Sequence, residues 1–502
     1  MNTSFAQSAF SHYNSSMSLT RSLALNTGVQ VAGKIVSTAL GIAIIGLLTR
    51  LLGTEGFGAY STANAFLQIF ALLLDLGLNV TLVALLGEHA GDEAYERRCT
   101  SALFTLRIVM ALLVLGIFAP FVAFLSPYPL ELKLAIIALT GSFFFPSLNQ
   151  VVTGVEQRHL KMHAAAIAEN VGRVVTLAGL FIAVAFHFGI VPIMWIISFA
   201  GFANFFTNFL SARKFAHFGW NWDPEFWLEA LKRSWPVGLS IAFGLLYFKA
   251  DTIIMSFSRS QAEVGIYGAA YRVLEILITV PFMYAGVLLP ILSNAWAKRD
   301  QARFKKLLSA SIDVMAVLVI PIIVGTWLLG VRIMTIVAGP EFADSGRILS
   351  VLILAIGAIY LNTVFSHSVV AIDAQRSMLP FYAFVAISAL TGYLILIPTY
   401  GMWAAAWITV ASEVIIGLGS LYVTKKALPI GYKPRATLAA IASSAVMALT
   451  VWPLRNMWIV LPIFVGALTY TIMIVSLGGI PMEIIREVLK KKKDTTPFSP
   501  LT

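Results

Sequence analysis

Positively charged residues interrupt several of the longest apolar stretches of this sequence. Four of these residues are Lys34, Arg173, Lys249 and Arg272. An apolar stretch of about 20 residues is long enough to cross a membrane, and a charged side chain at membrane depth costs several kcal/mol unless it meets a partner or water. We therefore take these cations as candidates for binding an anionic substrate.

Acidic residues occur at matching depths and could pair with these cations. Lys34 and Asp75 lie at nearly the same distance from the outer ends of two successive apolar stretches, which predicts a pair across a hairpin. Arg272 and Glu275 are three residues apart on one helical face, and Asp251 is expected at a similar depth, which predicts a second network. Each group could be a structural ion pair or a contact that switches to the substrate.

Other residues complete the candidate set. Glu169 precedes Arg173 by four residues, the favourable order for a pair along one helix. Glu413 is a deep acid that could carry a coupling proton, and Arg107 is expected to extend its charge to the membrane surface. Pro281 is a predicted hinge, because proline removes a hydrogen bond within a helix.

The composition places the chain in a membrane. Of its 502 residues, 59% are hydrophobic and only 12% are charged, about half of the charged fraction of a soluble domain. The apolar stretches are continuous, whereas barrel strands would alternate polar and apolar residues. We predict an all-α polytopic membrane protein with about fourteen transmembrane helices. One cysteine and no metal-ligand spacing predict no cofactor beyond a coupling H⁺ or Na⁺.

The predicted spans alternate with loops of very different charge. The spans are 27–49, 59–86, 102–125, 132–152, 165–187, 190–211, 236–257, 264–290, 309–330, 347–371, 378–398, 400–423, 436–454 and 458–479. Spans 59–86 and 264–290 are longer than required, which predicts that they tilt or protrude. Alternate loops hold most basic residues, and short basic loops stay cytoplasmic, so both termini are predicted to be cytoplasmic. The net charge of +11 suits anionic phospholipids, and no basic stretch is long enough for a nucleic-acid-binding domain.

A glycine-rich segment, RLLGTEGFGAY at 50–60, follows the first span. A phosphate-binding loop would need a preceding strand and a following Lys-Ser/Thr pair, so we predict a tight turn instead. EGFGAYSTA at 55–63 aligns with AEVGIYGAA at 262–270, which superposes Gly58 on Gly265. The two copies are six spans apart, which predicts a parallel repeat of two six-helix lobes plus two accessory helices.

The repeat and the charge pattern predict six regions. They are a cytoplasmic N-terminal tail at 1–26, an N-lobe at 27–211, a cytoplasmic linker at 212–235, a C-lobe at 236–423, accessory spans at 424–480 and a basic cytoplasmic tail at 481–502. Polar residues inside the spans are candidates for lining a cavity; among them are Asn149, Asn204 and Asn208.

RLLGTEGFGAY, together with KADTIIMSFSRSQAEVGIYGAAYRVLE at 249–275, resembles the signatures of a known family. That family is the polysaccharide transporter (Wzx-type O-antigen and exopolysaccharide flippase) branch of the multidrug/oligosaccharidyl-lipid/polysaccharide exporter superfamily. The resemblance implies two lobes facing each other in a V in the cell inner membrane. It also implies alternating-access transport of undecaprenyl-pyrophosphate-linked oligosaccharide repeat units for surface polysaccharide or lipopolysaccharide synthesis. The family's cavity cations on the first and eighth helices match Lys34 and Arg272 in placement.

Under this hypothesis Lys34, Arg173, Lys249 and Arg272 would bind the pyrophosphate. The resemblance also offers a polymerase and other polysaccharide assembly proteins as partners. The alternative is a cation-coupled multidrug or metabolite exporter of the same superfamily, although the intramembrane cations favour an anionic substrate. A membrane enzyme such as a polymerase or ligase is disfavoured, because no nucleophile or metal-ligand constellation occurs in the sequence. We therefore expect a transporter and not an enzyme.

Overall fold

The structure, a computed structural model, describes most of the chain. It covers residues 3–75, 77–89, 92–159, 163–214, 216–429, 431–432 and 434–479, with the backbone alone for 3–32, 80, 158 and 236–248. These ranges contain helices and turns and include no β-strand, so the predicted all-α class is confirmed. The predicted basic tail at 481–502 lies outside the described residues.

Contacts group the chain into two compact units, Met1–Gly265 and Ile266–Thr502. The helices of the first unit are α1 (Thr3–Asp75), α2 (Leu78–Glu88), α3 (Glu93–Ala111), α4 (Ala119–Leu125), α5 (Leu130–Leu139), α6 (Gly141–Arg158), α7 (His163–Ala185), α8 (Ile190–Ala212) and α9 (Pro224–Ser258). A π-helical segment, Leu112–Phe118, joins α3 to α4. In this unit α8 packs against α5, α6 and α7, and α7 packs against α1.

The second unit is built around one buried helix. Its helices are α10 (Gln261–Leu277, which begins in the first unit), α11 (Thr279–Ala297), α12 (Gln301–Val337), α13 (Ala343–Ala371), α14 (Leu379–Ala427), α15 (Arg435–Val451) and α16 (Val460–Ser476). Short 3₁₀ turns lie at Pro340–Phe342 and Gln375–Met378. α13 packs against α11, α12 and α14, while α15 and α16 pack together and against α12.

The helices suit a membrane. Among the described residues, nine helical segments are long and apolar enough to cross one, and α15 and α16 are shorter apolar helices. Two of the nine segments cover two predicted spans each, in α1 and α14. The shorter helices α15 and α16 correspond to spans 436–454 and 458–479, and span 236–257 includes residues described by their backbone alone. The chain is a multi-pass membrane protein.

Glycines interrupt the two longest helices between predicted spans. Gly53 in α1 has φ 62° and ψ −172°, and Gly401 in α14 has φ 55° and ψ −135°. Residues with a Cβ atom rarely adopt this backbone region. RLLGTEGFGAY therefore contains a kink centred on Gly53, while the reversal of chain direction stays a prediction.

The segment predicted as an N-terminal tail, 1–26, is helical from Thr3 onward. The first span continues through it, because neither proline nor glycine occurs between Thr3 and Thr27 to end the helix.

Both predicted spans that exceed the membrane thickness are broken helices. In span 59–86, α1 ends at Asp75, Gly77 adopts φ 75°, and α2 begins at Leu78. In span 264–290, Ile278 separates α10 from α11. The extra length therefore accommodates a break in each copy of the repeated glycine-tyrosine helix.

Candidate functional site

Small residues bring α1 close to α7. Gly33, Ser37 and Gly41 are spaced by four residues and share one face of α1. A Cβ atom at Gly33 would lie 3.2 Å from the Cβ of Ala166, and one at Gly41 would lie 2.8 Å from Nη1 of Arg173. Such small residues allow transmembrane helices to approach closely. Polar groups of α7 thereby come within reach of α1.

Four polar residues meet at this contact, and we call them the α1–α7 cluster: Lys34, Ser37, Glu169 and Arg173. A single carboxylate oxygen, Oε1 of Glu169, accepts from Ser37 Oγ at 2.5 Å, Arg173 Nη2 at 3.1 Å and Lys34 Nζ at 3.4 Å. Arg173 Nε also donates to Ser37 Oγ at 2.5 Å. One shared acceptor therefore positions both cations.

The α1–α7 cluster carries an excess positive charge. Its two cations share one carboxylate, so the net charge is +1 when all three groups are ionised. The side chains of Lys34 and Arg173 are 42% and 35% exposed, respectively. An ammonium group has three donors and a guanidinium has five, so both side chains have donors beyond those used here. The cluster can bind an anion such as a phosphate.

The predicted pair of Lys34 with Asp75 is wrong, whereas the predicted pair of Glu169 with Arg173 is confirmed. Lys34 binds Glu169, and Asp75 binds Arg107 instead, with Oδ1 3.4 Å from Nη2. Equal depth in the membrane does not predict this pair, because depth does not determine which neighbouring helix a given face contacts.

Arg107 binds the end of α1 at the break between α1 and α2. It lies on α3 with a side chain only 1% exposed, and its Nη1 donates to the carbonyl of Leu74 while Nη2 reaches Asp75. The last carbonyls of a helix lack N–H partners from the same helix. The expectation that Arg107 extends to the surface is therefore wrong, because the break creates buried acceptors for its guanidinium.

Lys249 and Asp251 are both buried in α9, with 7% and 1% exposure. Oδ1 of Asp251 accepts from the N–H of Thr252 at 2.5 Å and from its hydroxyl at 3.1 Å. Burial makes Lys249 less accessible to an anion than the cations of the α1–α7 cluster.

In the second unit, Arg272 pairs with Glu275 along α10, as predicted, with Nη1 2.8 Å from Oε2. The other acid proposed for coupling, Glu413, is buried in α14 at 4% exposure.

The proposed hinge residue, Pro281, lies in the first turn of α11 beside the break at Ile278. In an unbroken helix the carbonyl of Leu277 would accept from the N–H of residue 281, which proline lacks. The fully buried Tyr360 of α13 donates its hydroxyl to this carbonyl at 3.1 Å. A side chain from a neighbouring helix therefore replaces the missing donor.

A second proline in this unit has the same arrangement. Pro321 lies inside α12, and its missing N–H would have donated to the carbonyl of Val317. Tyr470 of α16 donates to that carbonyl at 2.6 Å. Tyrosine hydroxyls thus donate to the two carbonyls that lack a backbone N–H partner because of these prolines.

Sequence reasoning missed Glu156. It lies beyond the predicted span 132–152, but α6 continues to Arg158 and buries it completely. The asparagines proposed to line a cavity bond to one another beside it. Asn149 Nδ2 donates to Asn204 Oδ1 at 3.3 Å, and Asn208 Nδ2 donates to Asn149 Oδ1 at 2.8 Å. Their regular spacing on two helices is the signal that could have indicated this network.

Ion pairs also join the ends of α2, α3 and α9. Asp223 caps α9 by accepting from the N–H of Phe226 at 3.2 Å, and it accepts from Arg98 Nε at 2.7 Å. The bond from Arg98 holds the pKa of Asp223 below its ordinary value of 3.8. Arg233 binds both carboxylate oxygens of Glu88.

Within the described ranges, no group of three or more His, Cys, Asp or Glu residues is placed to hold a metal ion.

Two curated relatives match most of this chain. The "Probable flippase AglR" of Haloferax volcanii is 24% identical over 496 residues, which cover 93% of this chain and 99% of that protein. The "Putative O-antigen transporter" of Shigella dysenteriae is 23% identical over 384 residues, covering 75% of this chain and 93% of that protein.

The fold is similar to that of a solved transporter. The lipid II flippase MurJ in an inward closed conformation superposes with a TM-score of 0.73 and 17% identity, covering 91% of this chain and all of that chain. The polysaccharide biosynthesis protein family matches residues 23–296. Since this match covers more than half of the sequence, the chain belongs to the polysaccharide biosynthesis protein family.

Proposed function

We propose that the protein is a flippase that moves undecaprenyl-pyrophosphate-linked oligosaccharide repeat units across the bacterial cytoplasmic membrane by alternating access. The transported units would supply surface polysaccharide synthesis. Both termini would face the cytoplasm, where the basic loops contact anionic phospholipids. A polymerase and other assembly proteins would receive the units on the outer side.

The α1–α7 cluster carries this proposal. Lys34 and Arg173 share a single carboxylate oxygen of Glu169, so one positive charge remains unneutralised in a membrane-spanning segment. Excess charge at this depth is costly without a function. A pyrophosphate group would bind it through the donors that Glu169 does not use, and the forked guanidinium suits phosphate oxygens well.

Three further observations support the same function. The family and the relatives' names concern polysaccharide biosynthesis, flippases and O-antigen transport. Discontinuous helices often accompany substrate sites in transporters, and α1 ends at Asp75 before α2 begins at Leu78. A cation-coupled drug exporter is the alternative, but the net charge of the α1–α7 cluster favours an anionic substrate.

The test is complementation of a deletion strain. Loss of the protein should cause lipid-linked repeat units to accumulate on the cytoplasmic leaflet, and the wild-type gene should remove them. Lys34→Gln and Arg173→Gln should fail to complement while the protein remains at its normal level in the membrane.

A matched control is Lys214→Gln. Lys214 is an exposed cation just beyond the end of α8, and this variant should complement fully. Deletion without accumulation of lipid-linked units would overturn the proposed function. Full complementation by both cluster variants would overturn the assigned binding site.

A further inference from the structure

One face of α6 is polar near the end of the helix. Asn149, Thr153 and Glu156 are spaced by four and three residues and therefore share that face. α8 packs against α6 and contributes Asn208, whose side chain lies beside the Glu156 carboxyl. Glu156 and Asn208 are both fully buried.

Several buried hydrogen-bond acceptors at this site lack donors within the described residues. Nδ2 of Asn208 donates to Asn149 Oδ1 at 2.8 Å and to Thr153 Oγ1 at 3.5 Å. Within the described part of the chain, both carboxyl oxygens of Glu156 and Oδ1 of Asn208 have no hydrogen-bond partner. All three atoms are acceptors when Glu156 is ionised. A buried acceptor without a donor costs about 1–3 kcal/mol, and more when it is charged.

Among the described residues, no cationic side chain donates to either carboxyl oxygen of Glu156. α8 contains no ionisable residue, and the acidic or basic residues of α2 are limited to Glu88, which binds Arg233. The described ionisable groups near this end of α6 include Glu96 and Cys99 of α3, His159 beside the end of α6 and His163 of α7. Glu96 is engaged by His159, with Nε2 3.3 Å from Oε1.

We propose that Glu156 is a proton-binding site and that its carboxyl couples a proton gradient to transport. The protonated carboxyl has an O–H that can donate to Oδ1 of Asn208, which removes one unpaired acceptor and the buried charge together. The coupling role rests on the proposed transport function, whereas the protonation of Glu156 does not.

The coupling of proton binding to transport follows from the free-energy cost of burying the ionised carboxylate of Glu156. Releasing the proton to water leaves a carboxylate between α6 and α8 without a donor, so the release favours a conformation in which Glu156 meets water. Rebinding a proton from water on the other side of the membrane favours the buried state again. One proton is taken up and one is released in each cycle, and no other reactant is required.

Infrared spectroscopy of the purified protein tests the protonation directly. At neutral pH the wild type should show the carbonyl stretch of a protonated carboxylic acid, and Glu156→Gln should lose that band. Asn208→Val should shift its frequency, because the O–H loses its acceptor. Glu169→Gln is the matched control: Glu169 is surrounded by donors and should contribute a carboxylate signal instead. An unchanged protonated band in Glu156→Gln would overturn the site.

Proteoliposomes test the coupling. With purified lipid-linked oligosaccharide as substrate, an imposed pH gradient should accelerate flipping by the wild type but not by Glu156→Gln. An equal response of both proteins would overturn the coupling role. Absence of flipping by the wild type would instead overturn the proposed function and the coupling that rests on it, while the infrared band would still decide whether Glu156 is protonated.

Discussion

Gly58 and Gly265 pack against each other in a reciprocal contact within the first unit. A Cβ atom on Gly58 would lie 1.7 Å from the carbonyl oxygen of Gln261, and one on Gly265 would lie 2.0 Å from that of Thr54. Each carbonyl belongs to the residue four positions before the other glycine. The two glycines aligned by the internal repeat are thus neighbours in the fold.

Gly58→Ala should destabilise the protein by about 1–3 kcal/mol, because the added methyl group must displace backbone. Gly265→Ala should have a similar effect. The measurement is thermal unfolding of the purified protein in detergent. Gly286→Ala is the control, since a Cβ atom there meets nothing within 4 Å. Equal stability of Gly58→Ala and Gly286→Ala would contradict the close contact.

Tyr360→Phe should cost about 1–3 kcal/mol, because it leaves the part-buried carbonyl of Leu277 without this donor. Restoring an N–H with Pro281→Ala should reduce this cost, since the new amide can donate to the same carbonyl. A double-mutant cycle of unfolding free energies measures the coupling. Additive effects would show that Tyr360 and Pro281 do not act on a common acceptor.

Lys34→Met should reduce flipping strongly, because it lowers the net charge of the α1–α7 cluster from +1 to zero. Adding Glu169→Gln returns the charge to +1 through Arg173 and should recover part of the activity. Removal of accumulated lipid-linked units in the deletion strain provides the measurement. A double variant no more active than Lys34→Met would mean that the geometry of the cluster, and not its charge, limits transport.

Asp223→Asn should destabilise the protein in a pH-dependent manner. Asparagine still caps a helix, so the change removes mainly the charge that binds Arg98. The folded-state pKa of Asp223 is lowered by that bond, so its contribution is present above the ordinary pKa and is lost as the pH falls through the folded-state value.

Thermal unfolding of both proteins should therefore differ at about pH 7, begin to converge as the pH falls below about 4, the ordinary range of aspartate, and coincide only below the folded-state pKa of Asp223. Arg98→Gln should show the same convergence. A difference that stays constant with pH would contradict the role of the ion pair.

Interactions within one helix were predicted correctly from the sequence. The pairs Glu169–Arg173 and Arg272–Glu275 follow from residue spacing, since helical geometry places such residues on one face. The predicted pair of Lys34 with Asp75 failed because it joins different helices. The sequence did not predict that Glu156 is buried, because the predicted span 132–152 ends a few residues before its helix does.

The sequence by itself determined the membrane class, the interruption of α1 in its glycine-rich segment, the repeat and the family resemblance. These properties depend on composition and on local spacing, which the covalent chain carries directly. Only the tertiary structure decided that Lys34 meets Glu169, that Arg107 holds the broken end of α1, and that Tyr360 serves the carbonyl freed by Pro281. Those partners depend on how each helix is rotated and packed against its neighbours, which residue spacing along one helix does not specify.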